Sequence, residues 1–273
     1  MADLHRDLAP VSEQAWTEID AEATRTIKAT LGGRRLVDFA GPLGWTAGAV
    51  NMGRTDRVKE ADGVEIGLRR VLPLTELRVE FDLPRREVDA IDRGARDPDL
   101  GPVHDAARRI ALAEDRAVFR GLSEASIVGL MSGAEHPPLH IDPRYENYPS
   151  MVARALGILR NAGVGGPYGI ALGTQCYTGL SETTVGGYPV IEHVRRLVGG
   201  PLVWAPAVEG AVLLSLRGDD FLITVGRDFA IGYVEHTPER IRLFVCESFT
   251  FQLLSPEAAV PLIYPERATG KAQ

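Results

Sequence analysis

The sequence predicts an α+β chain in which long β-strands are crossed by amphipathic helices. Residues 75–83 alternate strictly, with Thr75, Leu77, Val79, Phe81 and Leu83 on one face and Glu76, Arg78, Glu80 and Asp82 on the other, the period of a half-buried strand. Two other stretches, residues 12–31 and 102–120, repeat their apolar residues at spacings of three and four, the period of a helix with one buried stripe. Finally, residues 241–254 read as one continuous strand, roughly 45 Å long at about 3.3 Å per residue where five or six residues are usual.

Taken in order, Pro10 and Ser12 open the first helix, with Ser12 as N-cap and Trp16, Ile19, Ala23, Ile27 and Leu31 as its stripe, until Gly32-Gly33 stops it. After a glycine-rich segment, Asp62-Gly63 between two strand-like runs predicts a projecting β-hairpin. A short helical piece surrounds Val88 and Ile91. Pro102 then stands where an N1 proline begins a long helix with Val103, Ala107, Ile110, Ala111, Ala117 and Val118 inward, closed by Gly121. The proline-rich loop 133–150 marks a boundary. From Met151 the pattern alternates helix (151–163), strand (168–174), glycine-rich loop (178–189), helix (190–200) and strand (202–208), which predicts an inserted α/β subdomain, and from Gly210 onward hairpins are expected.

Composition narrows the function classes. The chain has 273 residues, 45% hydrophobic and 25% charged, which is enough for a large buried core. A formal net charge of -7, with arginine pairs scattered among acids, argues against nucleic-acid binding. Cys176 and Cys246 form no CxxC, so neither a disulfide framework nor a cysteine zinc site is indicated and a reducing compartment is the simplest expectation. No apolar run reaches the ~18 residues of a membrane span, and the charged N-terminus does not read as a secretion signal.

Chemical motifs are weak. Gly163-Val164-Gly165-Gly166 follows a helix and precedes a strand, the reverse of a phosphate cradle. His136 and His140, flanked by Glu135 and Asp142, have metal-ligand chemistry, but Pro137-Pro138 forbids the helical spacing that would align them, and a surface loop is expected. Gly121-Leu122-Ser123-Glu124-Ala125 lacks the final glycine of a nucleophile elbow. Asp219-Asp220 reads as a hairpin turn. An over-long strand, a long helix and a projecting hairpin together suggest a subunit shaped for its neighbours.

Several blocks then resemble one family in order across residues 4–264: LHRDLAPVSEQAWTEID, GRRLVDFAGPLGW, LRRVLPLTELRVEFDL, EDRAVFRG, GGPYGIAL, IGYVE and RLFVCESFTFQLLSPEA. They resemble the encapsulins, also called linocin-like bacteriocins. The resemblance implies a tailed-phage major capsid fold, no catalytic role, and self-assembly into an icosahedral nanocompartment shell in the bacterial cytoplasm. It implies a cargo of dye-decolourising peroxidase or ferritin-like protein that carries a C-terminal docking peptide and serves oxidative-stress defence or iron storage. By the same resemblance, residues 1–50 hold the N-terminal helix and the start of the peripheral domain, and 51–71 form the extended E-loop. Residues 72–134 are peripheral domain with the spine helix, 135–222 the axial domain, and 223–273 the peripheral sheet and C-terminal tail.

The resemblance also places a fivefold pore loop at Ser181, Glu182, Thr183, Thr184, Val185, Gly186, Gly187 and Tyr188, where the paired glycines permit a tight turn. A docking groove of apolar pockets with polar clamps is expected from Ile27, Leu31, Arg34, Leu36, Asp38, Ile231 and Tyr233. Some encapsulins stack a flavin on a tryptophan after the strand ending at residue 83. Here the residues are Pro84-Arg85-Arg86-Glu87, so no flavin and no other cofactor is expected.

Glu247 is the one carboxylate among Leu243, Val245, Phe249, Phe251 and Leu253. It is expected to be a paired structural charge, so that Glu247→Gln weakens folding or assembly without touching cargo chemistry. Two rival readings are a hydrolase with an antibacterial role, for which no nucleophile motif is present, and a genuine phage capsid enclosing DNA.

Overall fold

A computed structural model describes residues 2–265. In chain order its helices are α1 (Glu13–Thr30), α2 (Arg85–Asp92), α3 (Gly101–Arg120), α4 (Tyr148–Asn161), α5 (Thr174–Glu182) and α6 (Val190–Val198). Its strands are β1 (Asp38–Ala40), β2 (Ala49–Ala61), β3 (Val64–Pro73), β4 (Thr75–Pro84), β5 (Leu139–His140), β6 (Tyr168–Leu172) and β7 (Thr184–Val185). These are followed by β8 (Tyr188–Pro189), β9 (Leu202–Trp204), β10 (Ala211–Ser215), β11 (Phe221–Val225), β12 (Ala230–His236), β13 (Arg240–Leu253) and β14 (Ala259–Ile263).

The locally encoded elements form where the sequence places them. The Ser12 hydroxyl accepts the Ala15 amide at 3.0 Å and caps α1, satisfying one of the four amides a helix start leaves open. Pro102 lies in the first turn of α3, and Gly121, at φ +92°, ends it. β4 keeps its alternation, with Phe81 and Leu83 buried. β13 is the 14-residue strand expected.

β13 organises the first sheet. Its residues 240–249 pair with β4 along one edge, while the other edge pairs first with β12 and then with β11, which in turn carries β1 in parallel. One face of β13, through Ile241, Leu243 and Val245, packs with the stripes of α1 and α3. Phe244 and Cys246 on the opposite face are covered by Leu4, and Asp3 pairs with Arg227.

The second sheet runs β5-β14-β10-β6-β9 and packs with α4, α5 and α6 over a second, larger core. Its composition departs from the expected division of the chain. β14 belongs to this second sheet, not to the peripheral one, while β11, which straddles the expected boundary with two residues before it and three after, belongs to the first. The expected β10–β11 hairpin is therefore absent: the chain crosses between sheets there, through Gly218 at φ +90° and Asp219 at φ +62°. Asp220, which follows them, is buried and bound twice by Arg217. The tail beyond residue 265 lies outside the described residues.

The length of α3 and β13 now has a reason. Ala106, Ala107, Ile110 and Ala111 of α3 belong to the first core, and Ala117, Val118 and Phe119 to the second; β13 divides likewise between Val245 and Phe249. Both elements run through two apolar cores, and among the residues between those halves are Glu114, Asp115 and Glu247, each fully buried.

Candidate assembly and docking surfaces

The arm is the first candidate surface. β2 and β3 pair only with each other among the described strands. Their register closes on Ala61↔Val64 across Asp62-Gly63, both at positive φ (53° and 76°), the backbone a two-residue I′ turn requires. Val64, Ile66 and Leu68 alternate on one face of β3 and remain largely exposed, Leu68 at 66%. A two-stranded ribbon is marginal alone, and an apolar stripe of this kind marks a surface made to be covered.

The second surface surrounds Arg34. Its guanidinium donates to both oxygens of Glu114 (2.6–3.0 Å), to Asp228 Oδ1 at 2.8 Å, and to Glu247 Oε1. The rings of Phe39 and Phe229 lie 5.1 and 4.7 Å away. Burial opposes the charge on Arg34, but the bonds to Glu114 and the fields of Glu114 and Glu247 outweigh it and hold the group more firmly protonated than usual. Glu247 shifts upward, because burial disfavours its charge and Glu114 adds like-charge repulsion against the single arginine.

Beside them Asp115 accepts the amides of Gly32 (2.7 Å) and Gly33 (2.9 Å). Burial pushes its carboxyl up to about 7 against the pull of those two bonds. A Cβ at Gly32 would stand 2.8 Å from the Ala205 side chain, so the close approach excludes any larger residue. The glycine pair that stops α1 thus also seats its end on α3. Sequence periodicity located α3 but not this use of Glu114 and Asp115; the signal was an acidic pair at positions that the helical stripe brings inward.

The expected docking residues separate into three groups. Ile27, Leu31 and Ile231 are buried in the first core and Leu36 in the second, so they fill pockets of this subunit and offer none. Arg34 is saturated by its carboxylates. Asp38 is exposed, its carboxylate accepting the Asp219 amide at 2.7 Å, and Tyr233 is half-buried with its hydroxyl 2.5 Å from His236 Nδ1. Through Leu222, Asp38 lies level with Gln252 of β13, and Tyr233 is level with Leu243. Nine strand positions, roughly 30 Å, separate them.

The expected pore segment is more ordered than a glycine loop. Ser181 and Glu182 end α5 and Thr183 caps it; Thr184-Val185 then pairs with Tyr188-Pro189 around Gly186 and Gly187, at φ +60° and +84°. Val185 and Tyr188 remain exposed.

Reactive chemistry is poorly supported by the same structure. Burial pushes the Cys176 and Cys246 thiols upward, away from thiolate formation. Among the described residues, no three His, Cys, Asp or Glu side chains converge as metal ligands. His136 bonds the Glu257 carbonyl at 2.9 Å, and His140 lies not in a loop but in β5. Pro84-Arg85-Arg86-Glu87 forms the β4–α2 junction, where Glu87 accepts the Asp99 amide. No described helix is long and apolar enough to cross a membrane.

Comparison with known proteins follows the same lines. The family model for an encapsulating protein for peroxidase matches residues 1–250. A type 1 encapsulin shell protein of Rhodospirillum rubrum is 50% identical over 280 residues, covering 100% of both chains. That of Mycobacterium tuberculosis is 46% identical, covering 96% of this chain and 99% of its own. In fold, the chain matches a virus-like particle from Pyrococcus furiosus with TM-score 0.64 at 16% identity, over 89% of this chain and 97% of that one. Gordonia phage Cozz matches with TM-score 0.54 at 13% identity, over 86% of each. The architecture is that of tailed-phage capsid subunits.

Proposed function

The chain belongs to the encapsulin shell-protein family, and from that premise we propose that it closes with copies of itself into an icosahedral nanocompartment in the bacterial cytoplasm. The chain is a structural shell protein, and whatever chemistry occurs inside belongs to the cargo. A peroxidase is the cargo the family's description names, in this reading a dye-decolourising one; a ferritin-like, iron-storing protein is the second class. The observation that carries the reading is the β2–β3 arm, whose apolar stripe has no cover among the described residues of the subunit. An identical neighbour is the partner present in stoichiometric amount, and a repeated contact of this kind closes a shell.

Cargo is held, in this reading, by an extended C-terminal peptide. Since four of the expected docking residues are core, the docking surface is the rim: Asp38 and Phe39 at one end, Phe229 and Tyr233 toward the other. The roughly 30 Å between Asp38 and Tyr233 suits an extended segment of about nine residues. Many such weak sites facing one cavity retain an oligomeric cargo by avidity. The turn at 183–188 lines the fivefold pore, and neither flavin nor nucleic acid is a partner.

The test is electron microscopy of particles from the native host with mass spectrometry of their contents. Uniform hollow shells containing a peroxidase or ferritin-like protein support the proposal. Particles filled with nucleic acid would favour a phage capsid, and small oligomers alone would refute both.

A further inference from the structure

Glu114 and Glu247 are both fully buried, both bind the same Nη2 of Arg34, and belong to elements that meet between the two apolar cores. The charged groups facing Glu247 are Glu114 on α3, Arg34 after α1, and Asp228 in the β11–β12 connection; Asp115 on α3 is the next carboxyl. On the β4 side, its partner in the ladder is Leu77, which brings no charge, while Asp3, Glu76, Arg78 and Arg227 line a small cavity together with Glu247. One guanidinium therefore serves two fully buried carboxylates and a half-exposed third. Two carboxylates in one desolvated site cannot both ionise against a single cation. The structure shows the consequence: Glu247 Oε2 is buried without a hydrogen-bond partner, while Glu247 Oε1 and Glu114 Oε2 meet at the same Arg34 nitrogen. A proton on Glu247 donated to Glu114 satisfies that oxygen and leaves Oε1 free to accept from Arg34.

We propose that Glu247 and Glu114 share one proton at neutral pH, and that this proton locks the seam joining α1, α3 and β13, so that alkaline pH unlocks the subunit and opens the shell. Ionisation of the second carboxyl places an uncompensated negative charge between the cores, which relax only by admitting water and separating Arg34 from its partners. The titration belongs to the pair and not to either residue alone. Its sign follows from the upward shift of Glu247. The folded state binds a proton that the unfolded state releases near pH 4, so stability is complete below that pH and is lost as pH rises toward the folded-state titration.

This reverses the expectation formed from sequence for Glu247→Gln. The glutamine amide reproduces the protonated acid, donating to Glu114 and accepting from Arg34, so the variant should strengthen the seam at high pH.

The test follows intact particles by light scattering through an alkaline titration, comparing wild type with Glu247→Gln. In wild type the folding equilibrium loses about tenfold per pH unit from this one proton, and the dissociation midpoint of the variant should lie higher by about one pH unit or more. An unchanged midpoint, or a variant weakened equally at every pH, overturns the proposal. Should the variant fail to assemble, infrared spectroscopy of wild-type shells decides. A protonated-carboxyl stretch at pH 7 that persists in Asp115→Asn shells supports the shared proton, and its absence refutes it.

Discussion

Replacing Ile66 and Leu68 by serine attacks the arm where it is most exposed, at 47% and 66%. Full burial of either side chain is worth about 1.5–3 kcal/mol. What remains to be buried is roughly half of Ile66 and two-thirds of Leu68, or about 0.7–1.5 and about 1–2 kcal/mol respectively. The pair should weaken each arm contact by about 2–3.5 kcal/mol, roughly thirtyfold or more in association. The subunit itself should change by no more than about 0.5 kcal/mol, because surface residues without internal partners rarely cost more. Sedimentation velocity across a concentration series measures the first quantity, and thermal unfolding of the unassembled subunit the second. Assembly at the wild-type threshold would show that the arm is not covered by a neighbour. An equal fall in subunit stability would show that the stripe is internal.

Other perturbations separate the remaining features. Arg34→Met leaves Glu114 and Glu247 buried without a cation and should cost about 3–5 kcal/mol in urea unfolding at pH 7; a loss below about 1 kcal/mol would remove the arginine from the seam. Asp115 titrates from 3.8 to about 7 on folding, so its own contribution to stability is full below pH 4, falls by about 4 kcal/mol as pH rises to 7, and is flat above. Asp115→Asn should remove this part of the slope and leave that of the Glu114–Glu247 pair, at a constant cost of about 1–3 kcal/mol for the acceptor withdrawn from a glycine amide, and denaturant midpoints at pH 5, 6 and 7 check it. Gly187→Val, at φ +84°, should cost about 1–2 kcal/mol locally and deform the β7–β8 turn while shells still form. Solute entry into intact shells should then change, and unaltered entry would remove this turn from the pore.

Much of the fold was legible because it is encoded locally. The Ser12 cap, Pro102 in the first turn of α3, the Asp62-Gly63 turn and the alternation of β4 each depend on residues within a few positions, and each is observed. Periodicity also identified Ile27 and Leu31 as apolar positions, and the family resemblance added Ile231. Neither could say whether a partner peptide or the subunit's own helices would cover them, and in the structure the helices do.

What the sequence determined by itself was thus the set of elements, their faces and, through blocks spread along the chain, the family. Tertiary structure decided which sheet each strand joins, taking β14 into the second sheet and β11, which straddles the expected boundary, into the first. It also decided the chemistry of Glu247, whose partners Arg34 and Glu114 are 213 and 133 positions away in the chain. Local propensity cannot reach across such intervals. The charge state of a buried carboxyl depends on what surrounds it in space, and only the packing of α1, α3 and β13 brings one cation against two acids.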